Sequence, residues 1–290
     1  MTREIKGPLK EIHFVTGKGG VGKSTYAALL AFEFARQGRK TLLAEIGDRS
    51  FYSYFWGLPV TYRPSKIEKD LEVSHWSSEE CLKSYALSLL KVETLYKLFF
   101  QNPVSRSLIQ VAPSLAELAV MGQITSAPRQ HGPHGDHEVL VIDAYATGHF
   151  LNLVRAPLAM GQTIQLGPMG EQSRQMDEIL RNTKLCHLHI VTTAEELPLT
   201  ESVELQNRLE HEFSWQAHFV LNRYLKTKLT SHDIHQNETQ IPLLVLRDKL
   251  TQQEAALKTL KSRAKSLRTV PLVSSLKDQA ELLELIKELT

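Results

Sequence analysis

The stretch "GKGGVGKS", residues 17–24, constrains this chain more than any other. It sits directly between a short apolar run, Ile12 to Val15, and "TYAALLAFEFARQG", whose apolar residues recur at helical spacing up to Gly38. A glycine run at that junction reads as a strand that ends in a tight backbone reversal and passes at once into a helix. The following "KTLLAEIG" reads as a second strand, which completes a βαβ unit with the glycine loop at the carboxyl end of its first strand. Further apolar runs at 139–143, 188–193, 218–222 and around Val270 read as buried strands, separated by helical stretches near 172–182 and 200–212. This alternation predicts an α/β fold, a mostly parallel central sheet flanked by helices. From about 77 to 125 the pattern turns mostly helical, with "EECLKSYALSLLKVETLYKLFF" at its core, and reads as a helical insertion into one domain that spans 1–290.

The loop fits G-x-x-x-x-G-K-[ST], the P-loop NTPase pattern. Its chemistry follows from its residue types. Gly17, Gly19, Gly20, Val21 and Gly22 can turn backbone N–H groups toward phosphate oxygens, and the helix that follows aims its positive end at the same place. Lys23 is expected to hold the β- and γ-phosphates of ATP, Ser24 to ligate Mg²⁺, and Thr25 to add a phosphate contact. The strand "VLVID" ends in Asp143, where a carboxylate can hold the Mg²⁺ shell or a water near the γ-phosphate. A ligand-free glycine turn is the bland alternative, and the flanking strand and helix argue against it.

One lysine suffices for this chemistry, yet Lys18 precedes the loop's second half. "KGGVGKST" resembles the deviant Walker A of the P-loop ATPase branch that contains the arsenite-pump ATPase ArsA and the tail-anchored-protein-targeting ATPases. In that branch the early lysine reaches the nucleotide of a partner chain, so the resemblance implies a homodimer in which Lys18 acts in trans. "DAYATGH" resembles the switch II run of the same family, with Asp143, Thr147, Gly148 and His149 on matching positions and Tyr145 and Ala146 departing from it. "VAPSLAELAVMGQI" and "VTTAEELPLTESVEL" resemble two further family segments, and "FVLNRY" lies where the family reads adenine, which points to Asn222 with Arg223 nearby. The resemblance implies an ATPase that couples nucleotide state to a protein client.

Its departures bear on function. Where the family carries a water-orienting aspartate, this chain has Ile46 or Gly47. Asp48 supplies a carboxylate after a one-residue slip, with Glu45 the other nearby acid; Asp48 reads equally well as a turn residue. A hydrolysis-deficient, ATP-gated scaffold is therefore the second reading. A GTPase or small-molecule kinase is the third, against which stand the missing N-K-x-D motif and the switch II match. Cys81 and Cys186 are the only cysteines, which argues against arsenite efflux and against a zinc-stapled dimer.

Lys+Arg 34 against Asp+Glu 32 gives no pull toward nucleic acid. No apolar run is long enough for a membrane span, and the first residues lack a signal-peptide pattern, so the cytoplasm is the expected location. The apolar stripe Leu82, Tyr85, Leu89, Val92, Tyr96 and Phe99 reads as core before client groove, and the aromatics from Phe51 to Trp56 read as packing. His131, His134 and His137 read as a surface loop before a metal site. The segment 257–268 reads as a basic amphipathic helix, and the terminal "LKDQAELLELIKELT" as an acidic one unsuited to an anionic membrane.

Overall fold

The apolar run that enters the glycine loop is the middle of a sheet. In a computed structural model, which describes residues 9–90, 113–164, 166–234, 240–273 and 281, β1 (Glu11–Gly17) is buried from Ile12 onward. The other strands are β2 (Thr41–Ile46), β3 (Ser65–Glu68), β4 (Leu71–Trp76), β5 (Val139–Ala146), β6 (Cys186–Thr192), β7 (Ala217–Tyr224) and β8 (Ser266–Pro271). They form one sheet in the order β3-β4-β2-β5-β1-β6-β7-β8. Every pairing is parallel except β3 with β4. The mostly parallel α/β fold expected from the alternation is the one observed. Strands buried on both faces must be apolar along their whole length, which is why they show as continuous runs in the sequence.

Helices cover both faces. One face carries α1 (Lys23–Arg36) and α2 (Phe51–Trp56), packed on Val15, Leu43, Val139, Val141, Val191 and Val220. The other carries α3 (Ser78–Leu90), α4 (Pro113–Ile124), α6 (Thr147–Thr163), α7 (Gly167–Leu180), α8 (Glu196–Phe213) and α9 (Ile241–Lys261), with the short α5 (Ser126–Arg129) after α4. Trp215 closes this second core: its ring stacks on Phe14 at 5.3 Å, and its indole N–H donates to the Leu180 carbonyl at 2.7 Å. Gly38, at φ +76, ends α1 as expected.

Two sequence readings change. The β3–β4 hairpin was not expected; Asp70 turns it at φ +61, and its charged, short edge strand hides the alternation. The basic helix over 257–268 does not form as such: α9 ends at Lys261, and Arg268 lies in β8, paired with Glu33 of α1. α3 and α4 fall at the two ends of the helical stretch expected over about 77–125. Its middle, with Val92, Tyr96 and Phe99, lies outside the described residues, as does most of the terminal acidic segment. In the described part, Tyr85 and Ala86 are buried in the core. No helix among the described residues is long and apolar enough to cross a membrane.

Candidate functional site

The carboxyl ends of β1 and β5 meet because β5 inserts between β1 and β2. Register then sets Asp143 beside Val15 on one side and Glu45 on the other. Gly17 and Lys23 bound the loop. A Cβ on Gly17 would fall 2.0 Å from the Val191 carbonyl oxygen, and one on Gly22 would fall 2.2 Å from Asn222 Nδ2. At φ +146 and +93 both positions also favour glycine on backbone grounds. Gly22 caps α1 with no side-chain hydrogen bond, which leaves the first-turn N–H groups facing the loop.

Lys23 Nζ donates to the Lys18 carbonyl at 3.1 Å, so its ammonium curls over the loop. Burial lowers its pKa, and Asp143 pulls in the opposite direction. Asp143 is 4% exposed. Burial pushes its carboxyl up to about 7, against hydrogen bonding from the Ser24 hydroxyl; Glu45 adds to the rise, and Lys23 and Tyr52 oppose it. The Tyr52 hydroxyl reaches the Ser24 carbonyl at 2.8 Å and Asp143 Oδ2 at 3.2 Å. A desolvated carboxylate beside a serine hydroxyl is a donor set that suits a hard, oxygen-seeking dication such as Mg²⁺.

Glu45 is committed elsewhere. Its two oxygens accept from Ser50 Oγ and the Phe51 backbone N–H, each at 2.6 Å, and so hold the start of α2. Asp48 is exposed in the turn after β2. Thr147 begins α6, with Gly148 exposed in its first turn. Thr147 Oγ1 donates to Glu201 Oε2 at 3.3 Å, and Lys18 ion-pairs with Glu201 Oε1. Glu201, on α8, thus joins the early lysine to the switch II start. Sequence reading missed Glu201 and Tyr52. Glu201 is 183 positions from Lys18 and, although it lies in the segment "VTTAEELPLTESVEL", nothing there points to a lysine partner, while Tyr52 reads as one packing aromatic among several.

Asn222 and Arg223, at the end of β7, also come to the loop. Asn222 Nδ2 donates to the Val21 carbonyl at 2.8 Å, and Arg223 Nη2 to the Gly20 carbonyl at 2.9 Å. Arg223 adopts φ +55, and its N–H donates to Asn222 Oδ1 at 2.8 Å. Thr25, in the first turn of α1, completes the expected loop set.

The histidines of the 131–137 loop disperse: His137 meets Glu72, His131 meets Gln172, and Asp136 pairs with Lys40. Cys81 and Cys186 are both buried, with thiol pKa values pushed well up by burial. A cavity of about 610 Å³ among the described residues lies away from the loop, lined by Leu42 and Leu140 near the amino ends of β2 and β5 and by Trp76, Leu87 and Ile124.

The family model described as anion-transporting ATPase matches residues 10–169, from the start of β1 into α7. ATPase BagA of Mycobacterium tuberculosis is 27% identical over 232 residues, covering 77% of this chain and 68% of that protein. The arsenical pump-driving ATPase of Acidiphilium multivorum is 23% identical over 237 residues, covering 76% of this chain and 40% of that protein. The family match takes in more than half of the chain, including the glycine loop, α1, Asp143 and the start of α6, and on this ground the chain belongs to the anion-transporting ATPase family of nucleotide-binding ATPases.

Proposed function

We propose that the chain binds Mg·ATP between Gly17 and Thr25, hydrolyses it as a homodimer in the cytoplasm, and passes its nucleotide state to a protein client. The observation that carries this reading is the convergence of Lys23, Ser24 and the buried Asp143 on one glycine loop. Backbone N–H groups of Gly19 to Gly22 and the α1 start would surround the phosphates, and Lys23 would leave the Lys18 carbonyl for a phosphate oxygen. Ser24 and Asp143 would hold Mg²⁺, which supplies positive charge against the phosphate oxygens. Asn222 and Arg223 would flank the adenine, and Asp48, exposed in its turn, would accept a proton from the attacking water.

Lys18 is the residue assigned in trans. Its side chain is 35% exposed and that of Glu201 34%. A pair so exposed is worth only about 0–1 kcal/mol, so a partner's phosphate can displace it. Release of Glu201 would also free Thr147 and the start of α6. α4 packs between α3 and α6, a contiguous route from the loop to the helical insertion. That route supports coupling to a client.

Calorimetric Mg·ATP titration with phosphate-release assays tests the reading. Wild type should bind ATP in preference to GTP, and Lys23→Ala should lose turnover by about 100-fold or more. Failure of the wild type to bind Mg·ATP would remove the proposal. The capping role of Glu45 and the exposure of Asp48 favour a second reading, an ATP-gated scaffold with little hydrolysis. Tight ATP binding without phosphate release would select it.

A further inference from the structure

A band of histidines crosses the face of the sheet beneath α1, at the end of β1 away from the glycine loop. Parallel register pairs His13 with His187 and His189 with His218 across β1, β6 and β7. Where valines fill this face elsewhere, here four imidazoles do. The His13 and His187 rings stack at 4.7 Å, and those of His189 and His218 at 5.0 Å. One ligand atom each from Glu11, His13 and His187 lies within 4.8 Å of the others.

We infer that Glu11, His13 and His187 form a binding site for a divalent, imidazole-preferring cation of the Zn²⁺ class. Three observations carry this. His13 Nε2 and Glu11 Oε2 are already 3.1 Å apart. Tetrahedral bonds of about 2.0–2.1 Å to Zn²⁺ place neighbouring ligand atoms at a similar separation. His187 Nε2 is buried with no hydrogen-bond partner, a group that a cation would satisfy. An outer shell is also present. With the proton on Nδ1, His13 donates to His189 Nε2 at 3.0 Å, and His189 Nδ1 lies 3.2 Å from the Tyr26 hydroxyl. That arrangement leaves the His13 Nε2 lone pair facing Glu11, as outer-shell partners of metal-bound histidines do.

The surroundings set the strength. Arg39 donates to Glu11 Oε2 at 2.8 Å, and Lys265 faces His13 and His187. Oε2 thus faces both Arg39 and His13 Nε2, so a cation would share that oxygen with Arg39. The two positive charges would weaken the site. His13 lies four positions before Gly17, about 13 Å along the strand. The metal would therefore clip β1 to β6 and take no part in phosphate chemistry. The site stands independently of the nucleotide reading.

The test is titration of the tag-free, nucleotide-free full chain with Zn²⁺ by calorimetry and with Co²⁺ by visible absorption. One equivalent should bind, and Co²⁺ should give a tetrahedral d–d spectrum. His187→Asn should weaken binding by about tenfold or more, while His218→Asn, a His134→Asn/His137→Asn double variant and Lys23→Ala should bind as wild type does. If His187→Asn fails to fold, Glu11→Gln, at a partly exposed site, takes its place. Absence of stoichiometric binding by wild type would overturn the proposal, as would binding that survives both substitutions or that is lost in the loop-histidine variant.

Discussion

Asp143 carries opposing demands of stability and function. Its carboxyl sits near 7 in the fold against an ordinary value of 3.8. Below the ordinary value both folded and unfolded chains are protonated and the burial penalty is absent. As pH rises through about 7, the folded protein must hold the charge in a desolvated site, so this group's contribution to stability is lost. Asp143→Asn should therefore raise the melting temperature of the nucleotide-free protein at pH 8, equivalent to about 1–3 kcal/mol, with little effect at pH 4. The same variant should lose Mg²⁺-dependent ATP binding, and thermal melts with and without Mg·ATP check both halves. Tyr52→Phe removes the hydroxyl shared by Ser24 and Asp143 and should destabilise by about 1–2 kcal/mol in denaturant titration. Cys81 and Cys186, buried and with raised thiol pKa values, should be inert to thiol reagents until the chain unfolds.

Among the elements, the loop between β1 and α1 is the one whose geometry tolerates least. Gly22→Ala adds a Cβ into Asn222 Nδ2 and a left-handed strain of about 1–2 kcal/mol. The chain should stay folded by circular dichroism while ATP affinity falls, because Asn222 must leave the Val21 carbonyl. This loop was legible in the sequence because motif, strand and helix all agree there. The buried parallel strands were legible for a related reason, since burial on both faces demands unbroken apolar runs. β3 was not, because a short charged edge strand satisfies its neighbour without apolar alternation, and β4, inside the sheet, was not because Glu72, Ser74 and His75 break its apolar run. The histidine band escaped notice for another reason: His13, His187, His189 and His218 come from three strands distant in sequence, and only the sheet order brings them side by side. Glu201 is illegible on the same ground. The helical period over 257–268 misled because β8 begins before the basic pattern ends.

At the level of the whole molecule, each chain offers one glycine loop and one Lys18. The ion pair to Glu201 holds that lysine against its own chain, at an energy small enough to be exchanged for a phosphate across an interface. Glu201→Gln should accordingly favour the dimer, seen as a lower protein concentration at half-dimerisation in sedentation-velocity runs with an ATP analogue. The most direct test of the account mixes two inactive variants, Lys18→Ala and Lys23→Ala, and measures phosphate release. A mixed dimer has one complete pocket, in which the Lys23→Ala chain lends Lys18 to the loop of its partner. Equal mixing should restore about a quarter of wild-type turnover, the share expected when C2 dimers assort at random. No recovery at any ratio, with both variants folded and mixed dimers formed, would contradict the proposed action of Lys18 in trans.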